Sequence, residues 1–328
     1  MRRARIDPYV AALLATVMVA SITPVRGEPA VDLHRLTTVA IGLLFFLYGV
    51  RLSAGAAVRG LRHWRLHAVV FAATFVAFPL LGVACRALTT PVLGPQLSVG
   101  VLFLCCLPST VQSSIAFTSL ARGNVAAAIC SASVSNLLGI ALTPILVALL
   151  LATGSGGGVS VDAVAAIVIQ LLAPFMAGQL SRRWIGEFVA RHSVVLGYLD
   201  RASILLVVYA AFSTSVTAGI WGRISMSTLA WLLVVDAVIL GILLAGTTIA
   251  ARRLRFDTAD EIAIVFCGSK KSLASGLPMA GVLFPAAAAG SVVLPLMLFH
   301  QMQLMVCAWL ARRYGNRSEP VAGGDPIE

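Results

Sequence analysis

A chain of 328 residues that is 59% hydrophobic and 11% charged, with a mean hydropathy of +0.95, carries far less charge than the ~25% of a water-soluble domain. That excludes an ordinary soluble fold, and it equally excludes intrinsic disorder, which needs few apolar residues. The net charge of +11 would suggest nucleic acid in a soluble protein, but the charges here sort by loop, and nothing else in the sequence supports such binding.

Ten apolar segments predict ten membrane-spanning helices: 9–23, 37–56, 66–89, 97–121, 124–152, 161–181, 195–220, 227–251, 260–284 and 290–311. At ~20 residues per span they leave only short loops, so no sizeable extramembrane domain fits. The first segment follows Arg2, Arg3 and Arg5. It lacks a small-x-small cleavage site before Pro24, and so reads as a span rather than a removed signal. The second carries Arg51 near its inner end, where a long cation snorkels to the surface. The third holds Thr74. The fourth starts apolar and breaks midway into Cys106-Leu107-Pro108-Ser109-Thr110-Val111-Gln112-Ser113-Ser114. The fifth holds a polar run with Ser131, Ser135 and Asn136. Gly154-Ser155-Gly156-Gly157-Gly158 then interrupts the chain near its middle. The eighth segment contains Asp236. The ninth breaks into Cys267-Gly268-Ser269-Lys270-Lys271-Ser272-Leu273-Ala274-Ser275-Gly276, and the tenth carries His300 and Gln303.

With a cytoplasmic N-terminus, 17 of the 24 lysines and arginines fall in loops on one side and 4 on the other. This is the positive-inside pattern. It places both termini in the cytoplasm of a multi-pass inner-membrane protein whose basic loops face anionic lipid. Ten spans split at the glycine-rich stretch into two sets of five, residues 1–153 and 161–314, with a linker at 154–160 and a tail at 315–328. An odd number of spans per half turns the second half over in the membrane, the inverted-repeat layout of secondary transporters. The breaks fall in the fourth span of each half. Pro108 removes a backbone donor and Gly268 frees the backbone, so both favour a discontinuous helix. Such a helix persists in lipid only where it lines a buried site or cavity.

Lys270 and Lys271 are the sharpest feature. A lysine near mid-membrane costs about 2.5–3.5 kcal/mol on insertion scales, and two are hard to explain as packing. Asp236 is expected at a similar depth, within reach of Lys270, as a fixed ion pair or as a proton-linked one. With Lys270 and Lys271, the residues Ser269, Ser272, Gln112, Ser113, Ser114, Asp236, Ser131, Ser135, Asn136 and Thr74 make the candidate substrate and ion site. Each serine or threonine taken alone also fits a local backbone bond. No HExxH, GxSxG, phosphate loop or paired intramembrane aspartates occur, so no enzyme is expected. The six cysteines lack zinc spacing and read as small apolar residues.

Cys105-Cys106, the Gln112-Ser113-Ser114 break, Leu120-Ala121-Arg122-Gly123-Asn124-Val125-Ala126 and Leu142-Thr143-Pro144 resemble the bile acid:sodium symporter family. The run from Cys267 to Pro278 resembles its divergent branch, which includes sodium/bile acid cotransporter 7 and many bacterial relatives. The resemblance implies ten helices, with a core of spans 3–5 and 8–10 and a panel of spans 1, 2, 6 and 7. Spans 4 and 9 would be broken and crossed around two sodium ions. It implies symport by movement of core against panel with the solute held between them, and the lysines suit a small anionic solute.

The transfer is partial. Ser114 falls on a sodium-ligating serine, but Ile115 replaces a typical asparagine, and Ala128 and Ala132 fall near ligating hydroxyl positions. Thr74 stands near a ligating glutamine, Phe266 replaces the family's central glutamate, and Lys270 replaces a ligating glutamine. A sodium ion near Ser114 thus loses its carboxylate, and a Lys270 ammonium takes the place of the ion. Coupling to sodium, to a proton or to no ion all remain open, as does attraction of an anion to the lysines. A non-transporting membrane regulator of calcium homeostasis is the alternative, because animal relatives are linked to calcium handling. No cofactor beyond a coupling ion is expected.

Overall fold

The structure is a computed structural model that describes residues 8–51, 63–152, 161–219, 222 and 224–317. The glycine-rich linker, most of the C-terminal tail and the expected cytoplasmic Arg2, Arg3, Arg5, Arg59 and Arg62 lie outside the described residues. Among the described residues there is no strand. Twelve α-helices among the described residues carry the fold: α1 (Pro8–Ile22), α2 (Glu28–Arg51), α3 (Trp64–Ala72), α4 (Phe78–Cys106), α5 (Gln112–Leu120), α6 (Val125–Ala152), α7 (Val161–Arg191), α8 (Ser193–Thr217), α9 (Met226–Arg253), α10 (Thr258–Gly268), α11 (Leu273–Leu283) and α12 (Ala286–Gly315). A π turn, Ala73–Ala77, joins α3 to α4.

Among the described residues six stretches are long and apolar enough to cross a membrane: Glu28–Arg51, Trp64–Cys106, Val125–Leu151, Ser193–Thr217, Met226–Arg253 and Ala286–Gly315. Their apolar side chains are exposed on the outside, as in Leu88, Val39 and Met305. Hydroxyls within the helices return to their own backbone, for example Thr16 to Ala12 O at 2.8 Å and Thr37 to Leu33 O at 2.7 Å. Leu-, Phe- and Val-rich faces of most helices meet in one continuous apolar core.

Trp64–Cys106 spans 43 residues. At about 1.5 Å per residue that is about twice the ~30 Å hydrocarbon thickness. The chain reverses at Gly94, whose φ of 77° and ψ of 167° no helix contains, between Pro91 and Pro95. The two arms then lie side by side, so close that a Cβ on Gly82 would stand 2.7 Å from Cys105 Cβ. This hairpin brings residues 70–82 against the C-terminal end of α4.

Elsewhere α2 and α7 cross at Gly49 and Gly178, where a Cβ on either would land on a backbone carbonyl of the other helix, Phe175 O or Phe46 O. Between α8 and α12, the Ser215 hydroxyl donates to Ala287 O at 2.9 Å and accepts from Gly290 N at 3.1 Å. Arg51 does not snorkel free of partners: it forms an ion pair with Asp200 of α8.

The start of α10 is tied down by charge. Asp257 caps it through Asp260 N at 2.7 Å. Arg252 grips Glu261 through Nε and Nη2, both at 3.0 Å, and Tyr314 donates to the same carboxylate at 2.9 Å. Asn124, from the Arg122-Gly123-Asn124 turn, donates to Asp260 at 2.7 Å, and its amide to Ala259 O at 2.9 Å.

Candidate functional site

Helix α4 ends at Cys106 and α5 begins at Gln112; α10 ends at Gly268 and α11 begins at Leu273. The two non-helical segments, 107–111 and 269–272, meet inside the protein. Gly276 of α11 passes so near Leu107 that a Cβ there would overlap its side chain at 2.5 Å. The last carbonyls of a helix have no partner of their own, and buried ones need one. Here the other break supplies most of them. The Ser109 hydroxyl donates to Cys267 O at 2.6 Å, the Ser114 hydroxyl to Phe266 O at 2.9 Å, and the Ser272 amide to Pro108 O at 2.9 Å. Thr143 of α6 donates to Cys106 O at 2.9 Å, and Ser135 accepts from Ser109 N at 3.1 Å. Ser269 bonds back to Val265 O at 2.6 Å. Ser272 caps α11 through Ser275 N at 3.2 Å, and Ser275 donates to Asn136 at 2.7 Å.

Lys270 and Lys271 are both 0% exposed, and they face different surroundings. The Lys271 ammonium donates to three backbone carbonyls: Thr74 at 2.9 Å, Cys105 at 2.9 Å and Leu107 at 2.5 Å. It also stands 4.0 Å from the Phe78 ring centroid. Its own backbone is gripped twice by the Gln303 carboxamide, N to Oε1 and Nε2 to O, each at 2.9 Å. The Lys270 ammonium has one long bond, to Ser113 Oγ at 3.3 Å, and lies 4.6 Å and 5.6 Å from the Phe117 and Phe266 centroids. Ser113 is the second residue of α5, whose N-terminus has no side-chain cap. Neither lysine meets a carboxylate among the described residues.

Asp236 does not pair with Lys270. It is 0% exposed, and neither carboxylate oxygen has a hydrogen-bond partner among the described residues. Its electrostatic neighbours include the thiols of Cys85 and Cys105 on the α4 hairpin. The helix turns the side chain towards α4 rather than into the breaks. Gln112 is exposed and stands apart from the cluster. Ser131 bonds His67 Nδ1 at 2.6 Å, one layer removed from the lysines. Thr74 contributes its carbonyl, while its hydroxyl returns to Val70 O at 2.8 Å.

A family model matches residues 7–316. The chain belongs to the SBF-like CPA transporter family. The SBF-like relatives include PA2026 of Pseudomonas aeruginosa, 57% identical over 316 residues, covering 96% of this chain and 95% of the relative. They include YfeH of Escherichia coli, which carries a symporter name, 52% identical over 314 residues with 96% and 94% covered. Sodium/bile acid cotransporter 7-B of Xenopus laevis is 27% identical over 317 residues, with 93% and 91% covered. The resemblance to bile acid:sodium symporters is therefore borne out, and the protein is a multi-pass membrane protein of a transporter family.

The residues around Ser114 do not fit a sodium ion. Ala128 and Ala132 bring no side-chain oxygen, Phe266 brings no carboxylate, and the Ser114 hydroxyl already donates to Phe266 O. Among the described residues no group of acids, histidines and cysteines is placed to hold a metal. The sequence reading missed Ser109, Thr143, Phe78 and Phe117 as parts of this centre. It named Gln303 without seeing its grip on Lys271. The break in the apolar pattern at Ser109 was the available signal for that residue.

Proposed function

We propose that this protein is a secondary transporter of an organic anion, and that Lys270 is the group that meets the anion. The observation that carries the reading is the state of the Lys270 ammonium: fully buried, holding one 3.3 Å bond, with no carboxylate partner among the described residues, beside the uncapped N-terminus of α5. A helix N-terminus and an ammonium both favour negative charge. Phe117 and Phe266 flank the ammonium and give an apolar wall for the organic part of the solute.

In this reading the six long helices, with α1, α7 and the two broken pairs, form ten spans in two inverted halves. The α4–α5 and α10–α11 pairs are the discontinuous crossing helices. The core is built from α3–α6 and α9–α12, and the panel from α1, α2, α7 and α8. Alternating access comes from motion of one against the other in the inner membrane, with both termini cytoplasmic. The cluster of Ser113, Ser114, Ser269, Ser272, Ser135 and Asn136 orients the breaks around the lysines. Coupling runs through the lysine centre or a proton rather than sodium.

The test is uptake into proteoliposomes of a panel of labelled carboxylates, sulfonates and bile salts by wild type and Lys270→Met, with and without a proton gradient. Uptake of an anion by wild type and its loss in the variant are expected. Wild-type uptake retained by a folded Lys270→Met protein refutes the assignment. No uptake of any anion, together with cysteine labelling at position 269 that never changes with conditions, would favour a non-transporting regulator.

A further inference from the structure

The carbonyls around Lys271 are arranged as for a bare cation. Three oxygens from two stretches of chain, the π turn and the end of α4, converge on one nitrogen at 2.5–2.9 Å, in a place with no solvent exposure. Each carbonyl is free for a reason visible in the sequence. In the π turn the Phe78 amide bonds to Ala73 O, and the amide that would follow onto Thr74 O belongs to Pro79, which has none. Cys105 and Leu107 close the end of α4, where carbonyls lose their helical donors and carry partial negative charge. Rings of backbone carbonyls at mid-membrane depth are how proteins replace the hydration shell of monovalent cations. An ammonium with three donors matches three carbonyls, and the Phe78 face at 4.0 Å accepts its remaining side.

Nothing else about Lys271 is left to chance. Gln303 fixes its peptide on both sides, and Gln303 in turn contacts His300 Nδ1 at 2.8 Å, so the side chain enters the cage from a clamped root. Lys270, one residue away, shows none of this saturation. The two lysines thus divide two tasks.

We propose that the cage of Thr74, Cys105 and Leu107 carbonyls is a monovalent-cation site permanently filled by the protein's own Lys271 ammonium. The protein carries as a side chain the cation that a coupled carrier would take from solution. The consequence for transport, uptake without dependence on sodium, rests on the transporter reading; the occupied cage itself does not.

The experiment is thermal unfolding of purified protein in choline, sodium, potassium and methylammonium chlorides at equal ionic strength, for wild type, Lys271→Ala and Lys271→Gln. A ligand that binds the folded state raises the midpoint by mass action. The expected result is a wild-type midpoint identical in all four salts. Lys271→Ala should show a lowered midpoint in choline that methylammonium, or a small metal cation, raises towards the wild-type value. Sodium or potassium stabilising wild type over choline would overturn the proposal, because the cage would then not be filled. So would a folded Lys271→Ala protein blind to every cation. Should Lys271→Ala fail to assemble, Lys271→Gln decides. Full wild-type stability with that neutral donor means hydrogen bonding suffices and no cation is needed, whereas a lowered midpoint that methylammonium raises supports the proposal. No substrate enters this measurement, so failure to find a transported anion leaves it intact. Equally, its failure leaves Lys270-dependent uptake standing.

Discussion

Replacing Lys270 by methionine separates a functional charge from a structural one. Taking an ammonium out of water costs several kcal/mol even after relaxation. Against that stand one hydrogen bond stretched to 3.3 Å, contributing ~1 kcal/mol, and two ring contacts at 4.6 and 5.6 Å, contributing ~0.5–2 kcal/mol each. The contacts offset only part of the cost. Methionine fills similar volume and suits the Phe117–Phe266 wall. By analogy with buried ions replaced by apolar residues, Lys270→Met should stabilise the protein by ~1–4 kcal/mol. In detergent this reads as a higher unfolding midpoint, while anion uptake into proteoliposomes is lost. A charge that lowers stability and is kept for activity gives this pairing. A lowered midpoint with undiminished uptake would refute the reasoning on both counts.

Three further outcomes follow from the same geometry. Ser109→Ala strands Cys267 O inside the protein, which should cost ~1–3 kcal/mol and lower the thermal midpoint; an unchanged midpoint would show that another donor reaches that carbonyl. Asp236→Leu removes a buried carboxyl with no partner among the described residues, so the midpoint should rise; a clear fall would reveal a partner that the geometry does not contain. Gly178→Val drives a side chain into Phe46 O, a backbone clash exceeding the ~1–3 kcal/mol of ordinary overpacking, and should abolish the monodisperse peak in size exclusion; a normal peak would mean that α2 and α7 can part without loss.

The apolar segments and the two breaks were legible because proline, glycine and hydroxyl residues at 108–114 and 267–276 stand out against an apolar background. How the two lysines differ was not. They are adjacent and chemically identical, so their surroundings depend on where each side chain reaches. That is set by Gln303, 32 residues from Lys271 along the chain, and by the π register that makes Pro79 free the Thr74 carbonyl. The sequence reading placed Lys270 where a cation would sit; the structure puts Lys271 in the carbonyl cage. Counting residues gives Asp236 an expected depth, but depth does not fix which side of a helix a residue faces. Arg51 looked like a snorkelling cation because its partner Asp200 lies 149 residues away. The reversal at Gly94 was expected only as a short loop, and one glycine between two prolines accomplishes it.

The Gly49–Gly178 crossing has a mechanical consequence. Two helices whose backbones touch are interlocked like meshed teeth: sliding either along the other drives a carbonyl into a Cα, so the pair travels as a single beam. Any displacement between helices falls on boundaries that are not interlocked in this way. At the α8–α12 boundary a side chain, not a carbonyl, stands nearest the glycine: Ser215 packs against Gly290, and its hydroxyl bridges the two helices with two ordinary bonds. Each is worth ~1 kcal/mol net, so in the proposed motion of core against panel they form a catch that thermal motion releases and resets.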